Sequence, residues 1–123
     1  MTRIVREIQI GGKKLRALFD TGSLHSYILA KFRPAVMTRM APITVAIGGK
    51  TRSLDERCLV TAKIDGLEFG MTAYIIDELG ETEHGSVDAI IGALTMEEWY
   101  IKLDPRSGTL DLSGLRKREF TEF

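Results

Sequence analysis

The stretch Leu18-Phe19-Asp20-Thr21-Gly22-Ser23 places a carboxylate where an apolar segment runs into a tight turn. Most of the residues just before Asp20 are apolar, so folding would bury the segment that ends at this aspartate. Burying a lone carboxylate is costly unless hydrogen bonds or an opposite charge compensate it. Thr21 and Ser23 offer hydroxyls, and Gly22 lets backbone N–H groups approach closely. We therefore predict a functional site at Asp20.

The composition indicates one soluble, globular domain that spans residues 1–123. Hydrophobic residues make up 44% of the chain and charged residues 28%, and 17 basic residues balance 17 acidic ones. This balance gives no reason to expect a nucleic-acid or membrane partner. The final residues, 113–123, are rich in charge, and we expect them to form a loosely ordered tail.

The cysteine and histidine content predicts neither a metal site nor a cofactor. The single cysteine, Cys58, excludes an intrachain disulfide, and its apolar neighbours favour a role as a small core residue. His25 and His84 are far apart in the sequence and have no cysteine partner for zinc. The N-terminal residues lack the apolar run of a signal peptide, so we expect a cytoplasmic location.

Short strands separated by glycine-containing turns dominate the sequence and predict an all-β fold. Residues 4–10 alternate as a half-buried strand does, and Gly11-Gly12 predicts a hairpin turn after them. Gly48-Gly49 and Asp65-Gly66 predict two further hairpins. The best helix signal lies in residues 94–100, with Thr95 as the expected N-cap. We expect a small closed β-barrel with one short C-terminal helix.

Asp20 alone cannot carry out the acid–base hydrolysis of an amide, because that reaction needs two groups. One group takes a proton from water while another protonates the carbonyl oxygen. The chain has no second Asp-Thr-Gly: Asp88 opens another apolar segment but lacks the Thr-Gly, and a Ser23–His25 pair has little sequence support. In a two-fold dimer, however, the same aspartate of each chain meets at the axis. Two carboxylates about 3 Å apart then share one proton.

Four segments together resemble the retropepsin-like (retroviral-type) family of aspartic proteases. Residues 17–28, Ala-Leu-Phe-Asp-Thr-Gly-Ser-Leu-His-Ser-Tyr-Ile, resemble the catalytic turn of that family. Asp88-Ala89-Ile90-Ile91-Gly92 resembles the family's second apolar strand, and residues 94–99 follow it as the family's helix does. Residues 45–50, with two glycines at their tip, stand where the family has its flap. The resemblance extends over residues 4–112, nearly the whole chain.

The resemblance implies an acid-protease barrel and an aspartic endopeptidase that acts as a homodimer on peptide or protein substrates. A water molecule held between two copies of Asp20 would attack the peptide bond. The residues to which the resemblance assigns roles are Asp20, Thr21 and Gly22 in the catalytic turn, Ser23 as the tuner of the carboxylate, Ile47, Gly48, Gly49 and Lys50 in the flap, and Ile90, Ile91 and Gly92 in the second strand.

Two positions depart from the viral members of the family, and other functions stay open. Those members often carry an acid after the turn and an arginine after the later glycine, where this chain has Leu24 and Ala93. The dimer contacts must therefore differ. A non-catalytic dimerising or peptide-binding module could keep the same fold, and the same pair of carboxylates could hydrolyse another amide or an ester.

Overall fold

The computed structural model describes residues 3–123, and most of them lie in β-strands. The strands are β1 (Arg3–Ile10), β2 (Lys13–Asp20), β3 (Ser26–Leu29), β4 (Thr38–Ile47), β5 (Lys50–Ile64), β6 (Leu67–Ile76), β7 (Glu81–Thr82), β8 (Gly85–Ser86), β9 (Ala89–Ile91), β10 (Lys102–Asp104) and β11 (Thr109–Asp111). The helices are α1 (Ala93–Glu98), α2 (Ser113–Lys117) and a 3-10 turn at Ala30–Phe32. None of the helices in the described range is long and apolar enough to cross a membrane.

Six strands form a ring, and this ring determines what surrounds the end of β2. The main sheet runs in the order β1-β2-β9-β3-β6-β5-β4, and β1 also pairs with β5, so the first six strands close on themselves. Most neighbours are antiparallel, but β2 runs parallel to β9 and β3 runs parallel to β6. The predicted mainly β fold is confirmed, whereas its acid-protease type stays a prediction.

The three glycine turns lie where the sequence predicts hairpins. Gly11-Gly12 joins β1 to β2, Gly48-Gly49 joins β4 to β5, and Asp65-Gly66 joins β5 to β6. Both residues of the Asp65-Gly66 turn have positive φ, 50° and 79°, which is the conformation that a tight two-residue hairpin requires. Local turn chemistry therefore sets the register of the three longest strand pairs.

The end of β2 is covered on both faces, and this covering orients Asp20. Ala17 and Phe19 pack in the main core of the ring, whereas Leu18 belongs to a second, smaller apolar cluster. Because successive side chains of a strand point to opposite faces, Asp20 lies on the same face as Leu18. The carboxylate is therefore directed toward the second cluster and away from the main core.

The single cysteine lies in the main core, as the sequence predicts. Cys58 is 3% exposed, and its thiol donates to the carbonyl oxygen of Ala73 at 3.7 Å. Burial raises the pKa of the Cys58 thiol, because the charged thiolate is disfavoured away from water. The thiol is thus protonated in the folded protein at neutral pH, which is the behaviour of a structural cysteine.

The C-terminal segment is more ordered than the sequence predicts. Residues 113–117 form the helix α2, so the chain has a second α-helix that the prediction lacked. Leu115 is fully buried in the main core, and this single apolar side chain among charged neighbours anchors the helix. Beyond it, the Phe120 ring stacks on Tyr100 with centroids 5.7 Å apart. Within residues 113–123, helix α2 covers the first five residues and the last six lack regular secondary structure.

The helix α1 begins two residues before the predicted N-cap. Its N-cap is Gly92, which makes no side-chain capping bond, and Thr95 lies inside the first turn. Thr95 is buried, and its hydroxyl is 2.8 Å from the hydroxyl of Ser26. The prediction that Thr95 caps α1 was wrong, because its hydroxyl forms a long-range hydrogen bond with Ser26 instead of capping the helix.

Candidate active site

Asp20 is nearly buried, and both oxygens of its carboxylate have partners within the chain. It is 7% exposed at the last position of β2. Its Oδ1 accepts a hydrogen bond from the backbone N–H of Gly22 at 2.8 Å, and its Oδ2 lies 3.2 Å from Nε of Arg3. The carboxylate is thus held in one orientation by its own turn and by a cation on the neighbouring strand.

The turn after Asp20 exposes its next two residues. The N–H of Ser23 donates to the carbonyl oxygen of Asp20 at 3.1 Å, which closes the turn and leaves Thr21 and Gly22 at the surface. The Ser23 hydroxyl donates to the carbonyl oxygen of His25 at 2.9 Å. It does not bond the Asp20 carboxylate in the part of the chain that the structure describes, so the predicted tuning contact of Ser23 is not formed here.

Asp20 lines a cavity of about 440 Å³, a volume in the range of small-ligand and peptide sites. Apolar side chains from the second cluster, Leu18, Val87 and Ile90, form much of its wall. Charged side chains at its margin come from β1 and from the segment around β7, namely Arg3, Glu81 and Glu83. The cavity therefore combines one nearly buried carboxylate with an apolar surface and a charged edge.

The hairpin between β4 and β5 reaches this cavity with its tip. Ala46, Ile47 and Gly48 line the same space as Asp20, whereas Gly49 and Lys50 complete the turn without lining it. Gly48 and Gly49 have φ of 58° and 78°, values that side-chain-bearing residues rarely adopt, so the turn requires this glycine pair. Of the four predicted flap residues, the structure brings Ile47 and Gly48 to the site.

Two cations of this hairpin form ion pairs with one acid, Glu78, in the segment that follows β6. Glu78 accepts a hydrogen bond from Arg52, and its Oε1 lies 3.6 Å from Nζ of Lys50. The hydrogen bond from Arg52, helped by the positive charge of Lys50, lowers the pKa of Glu78 below its ordinary value. We call these two ion pairs of Glu78 the tether. The tether is therefore fully present at neutral pH and is lost as the pH falls through the lowered pKa of Glu78.

Removing the tether is expected to free the hairpin tip. In Glu78→Gln, the amides of Ile47 and Lys50, which lie opposite each other at the base of the turn, should exchange with solvent several-fold faster than in the wild type at neutral pH, because local opening becomes easier. The ratio between the two proteins should approach one in acid, where wild-type Glu78 is itself protonated. Glu68→Gln, which removes a similar pair with Lys63 elsewhere on β5 and β6, is the control and should leave both amides unchanged. Equal exchange in Glu78→Gln and wild type would show that the tether does not restrain the tip.

The second apolar strand runs beside β2 and divides its side chains between the cavity and the core. In the parallel pair, Leu18 lies opposite Ile90 and Phe19 opposite Ile91. Ile90 lines the cavity, whereas Ile91 is fully buried in the main core. Both isoleucines are therefore buried in a strand that runs beside β2, and of the two only Ile90 contributes to the cavity.

Gly92 follows this strand and packs against the backbone just after the turn at Asp20. A Cβ at this position would lie 2.2 Å from the carbonyl oxygen of His25, so only glycine fits without a backbone shift. Its N–H donates to Oγ of Ser26 at 3.0 Å, and Ser26 also bonds Thr95. Sequence reasoning missed these contacts of Ser26 with Gly92 and Thr95. No local pattern marks them, since each contact joins residues more than 60 positions apart.

Arg3 was also missed, although the sequence holds a signal for it. A two-residue turn at Gly11-Gly12 pairs Ile10 with Lys13, and counting back along both strands places Arg3 opposite Asp20. Arg3 also lies 3.8 Å from Glu83, so it connects the carboxylate to the margin of the cavity. The hairpin register alone would have identified this cation as the neighbour of the aspartate.

The other candidate catalytic groups of the chain lie elsewhere. The Asp88 carboxylate accepts the N–H of Arg16 at 2.9 Å and is not part of the cavity wall. The His25 ring packs edge-on against Tyr74 with centroids 5.1 Å apart, and Ser23 bonds the carbonyl of His25 instead of its ring. Asp88 therefore does not join Asp20 in the cavity, and Ser23 and His25 do not form a nucleophile–base pair.

No cluster of three or more metal-binding side chains occurs within residues 3–123.

No family model matches the chain, and no curated protein matches it. A function for this protein must therefore be argued from the geometry around Asp20.

Proposed function

We propose that this protein is an aspartic endopeptidase that acts as a homodimer. The observation that supports this most directly is a nearly buried carboxylate that faces a cavity shared with a glycine-tipped hairpin. A hydrogen bond from Gly22 fixes the position of that carboxylate, as a catalytic group requires. The resemblance of the same residues to retropepsin-like proteases is consistent with this assignment.

The second carboxylate comes from a second copy of the chain in this proposal. Glu81 and Glu83 also line the cavity, but both are exposed, and their short strand and turn contribute no hydrogen bond that would hold either carboxylate in place. Asp20 instead ends beside the exposed residues Thr21 and Gly22, so a two-fold axis at this turn can bring two such carboxylates together. At about 3 Å they share one proton and provide an acid and a base in one site.

The reaction then follows from this shared proton. The ionised carboxylate takes a proton from a water molecule, and the water oxygen attacks the carbonyl carbon of the peptide. The protonated carboxylate gives its proton to the carbonyl oxygen, which yields a neutral tetrahedral diol. A proton then moves to the amide nitrogen, the C–N bond breaks, and a carboxylic acid and an amine leave. No covalent bond to the enzyme forms at any step.

An extended peptide is the substrate that the surroundings of Asp20 fit best. The hairpin tip offers backbone groups that can pair with an extended chain, as sheet edges do in other peptide-binding proteins. The apolar wall of Leu18, Val87 and Ile90 suits a large apolar side chain near the bond that is cut. Cleavage of an unfolded protein or a peptide library by the wild type, together with loss of cleavage in Asp20→Asn, tests the proposal.

The ion pair between Arg3 and Asp20 favours a second candidate function. A carboxylate that is already paired with a cation of its own chain is not free to hold a water molecule. This pairing would suit a non-catalytic dimerising or peptide-binding module. In the protease proposal, by contrast, the guanidinium must leave Oδ2 before that oxygen can hold water. The two candidates therefore differ in what removal of Arg3 does.

Arg3→Gln is expected to raise kcat/KM by about two- to fivefold, because it frees Oδ2 without changing the turn. The gain is modest since Arg3 is 38% exposed and such pairs contribute at most about 1 kcal/mol. Steady-state kinetics with a peptide substrate measures the effect. Arg6→Gln, which removes the exposed pair with Asp65 on the same strand, should change kcat/KM little. A tenfold or greater loss in Arg3→Gln would instead show that Arg3 assists the reaction.

A further inference from the structure

Tyr27 is a nearly buried polar side chain in the wall of the cavity that Asp20 lines. It lies within β3, is 5% exposed and belongs to the second apolar cluster. Leu18 and Ile90 of the same cluster line the cavity with it. We propose that the Tyr27 hydroxyl selects an uncharged hydrogen-bonding side chain of the substrate, such as the amide of glutamine, an inference that rests on the proposed function.

The Tyr27 hydroxyl makes no hydrogen bond within the part of the chain that the structure describes. Among residues 3–123, however, every side-chain nitrogen or oxygen that is fully shielded from solvent has a hydrogen-bond partner. The hydroxyl is therefore not sealed in the core, and the space that Tyr27 lines is the cavity. A tyrosine hydroxyl in a protein interior normally has a partner. This one bonds water in the free protein and can exchange that water for a polar group of a substrate.

The strands on both sides of β3 hold Tyr27 in place. It lies opposite Ile90 of β9 on one side and opposite Tyr74 of β6 on the other. The Tyr27 and Tyr74 rings also pack together, with centroids 6.1 Å apart. A side chain on a strand that is paired on both sides is preorganised, so little conformational entropy is lost when it binds a ligand.

The Tyr27 hydroxyl is uncharged under the conditions in which the proposed reaction runs. Burial, and to a smaller degree the neighbouring Tyr74 phenol, raises the pKa of Tyr27 above its ordinary value. The group is therefore a neutral phenol at neutral and acidic pH, and it can both donate and accept a hydrogen bond.

The other groups of the cavity disfavour a charged substrate side chain at this position. A carboxylate would be repelled by Asp20, Glu81 and Glu83, and Arg3 is already paired with two of these acids. An ammonium or guanidinium group would lose its water among apolar side chains and gain only the neutral phenol of Tyr27 as a partner. An uncharged tip on an apolar stem, as in glutamine, fits both the wall and the hydroxyl.

The hydroxyl should discriminate between substrates more strongly than the apolar wall does. A leucine side chain would fill the wall, but it would displace water from the Tyr27 hydroxyl without replacing the hydrogen bond. Sites that hydrogen-bond a substrate reject an analogue without the bonding group more strongly than apolar pockets distinguish two sizes. Tyr27 is thus a specificity-determining residue of the proposed reaction.

Tyr27→Phe tests this assignment, because it removes the hydroxyl and keeps the ring. Peptides that carry either glutamine or leucine, on each side of the cleaved bond in turn, are compared by kcat/KM. At one of these positions, the ratio of glutamine to leucine should be at least about tenfold lower in Tyr27→Phe than in the wild type. Tyr74→Phe is the control, since Tyr74 lines a different depression, and it should leave the ratio unchanged.

Three outcomes would overturn the assignment while the protease proposal stands. The first is a ratio that Tyr27→Phe leaves unchanged at both positions. The second is an equal loss for both peptides, which would show that the hydroxyl acts on the peptide backbone or on the reaction. The third is faster cleavage of a lysine peptide than of the glutamine peptide by the wild type, because a charged tip would then fit the cavity best.

Peptide binding separates this inference from the reaction itself. If the wild type cuts neither peptide, isothermal titration calorimetry measures the Kd of both. Tighter binding of the glutamine peptide by the wild type, with that preference lost in Tyr27→Phe, would support selection by Tyr27 and end the protease proposal. A wild type that neither cuts nor binds either peptide would end both.

Discussion

Asp20→Asn should lower kcat/KM by at least about 10⁴-fold while leaving the protein folded. Each of the acid and base roles contributes about 10²–10⁴-fold, and the substitution removes both from a symmetric site. Asparagine keeps an oxygen that can accept the N–H of Gly22, so the turn should persist. Peptide cleavage measures the loss, and circular dichroism verifies the fold. Substantial activity in this variant would end the aspartic mechanism.

The same variant also tests whether the site spans two chains. When wild-type and Asp20→Asn chains are mixed in equal amounts and allowed to exchange, about half of the wild-type chains enter mixed dimers. The activity per wild-type chain should then fall to about half. A site contained within one chain would show no such fall. Asp88→Asn is the control for the chemical change, because Asp88 lies outside the cavity and asparagine can still accept the N–H of Arg16.

Gly92→Ala is expected to cause the largest loss of stability among the substitutions considered, about 3 kcal/mol of the free energy of unfolding or more. The added Cβ would lie 2.2 Å from the carbonyl oxygen of His25 and 2.8 Å from that of Leu24. Both are backbone atoms, so neither can move aside as a flexible side chain would. The hydrogen bond from Gly92 to Ser26 would also be displaced. Urea unfolding at matched protein concentration measures the change.

Gly70→Ala is the matched control for that substitution. Gly70 also lies in a strand region with ordinary φ, and the nearest atom to an added Cβ is the carbonyl oxygen of Val60 at 3.9 Å. Its unfolding free energy should change by no more than about 0.5 kcal/mol, in either direction. Equal effects of the two substitutions would show that the close contact at Gly92 relaxes in solution.

Much of the strand architecture could be predicted because its causes are local. Alternating apolar residues mark β1, and the glycine turns fix how the paired strands align. The same register places Arg3 opposite Asp20, a contact that was available from the sequence but was not predicted. Helix α2 was missed because one buried side chain, Leu115, stabilises it among charged neighbours, and such a short segment carries no clear helical period.

The details around the turn that follows Asp20 could not be predicted, because they depend on distant residues. Ser23 bonds the carbonyl of His25, and this choice of acceptor follows from the path of the chain after the turn. Thr95 bonds Ser26 instead of capping α1, since the packing of β9 brings the two hydroxyls together. The position of the exposed Tyr100 ring likewise depends on contacts with two residues further along the chain, Gly114 and Phe120.

The sequence by itself determined that an aspartate ends a buried strand, that a glycine turn follows it, and that glycine hairpins connect the strands around it. These features depend on side-chain period and turn conformation, which act over a few residues. Only the tertiary structure decided that Ile47 and Ile90 lie in one cavity with the Asp20 carboxylate, and that Thr21 lines a different depression. Closure of the strand ring brings these residues together, and packing across a ring leaves no periodic trace in the sequence.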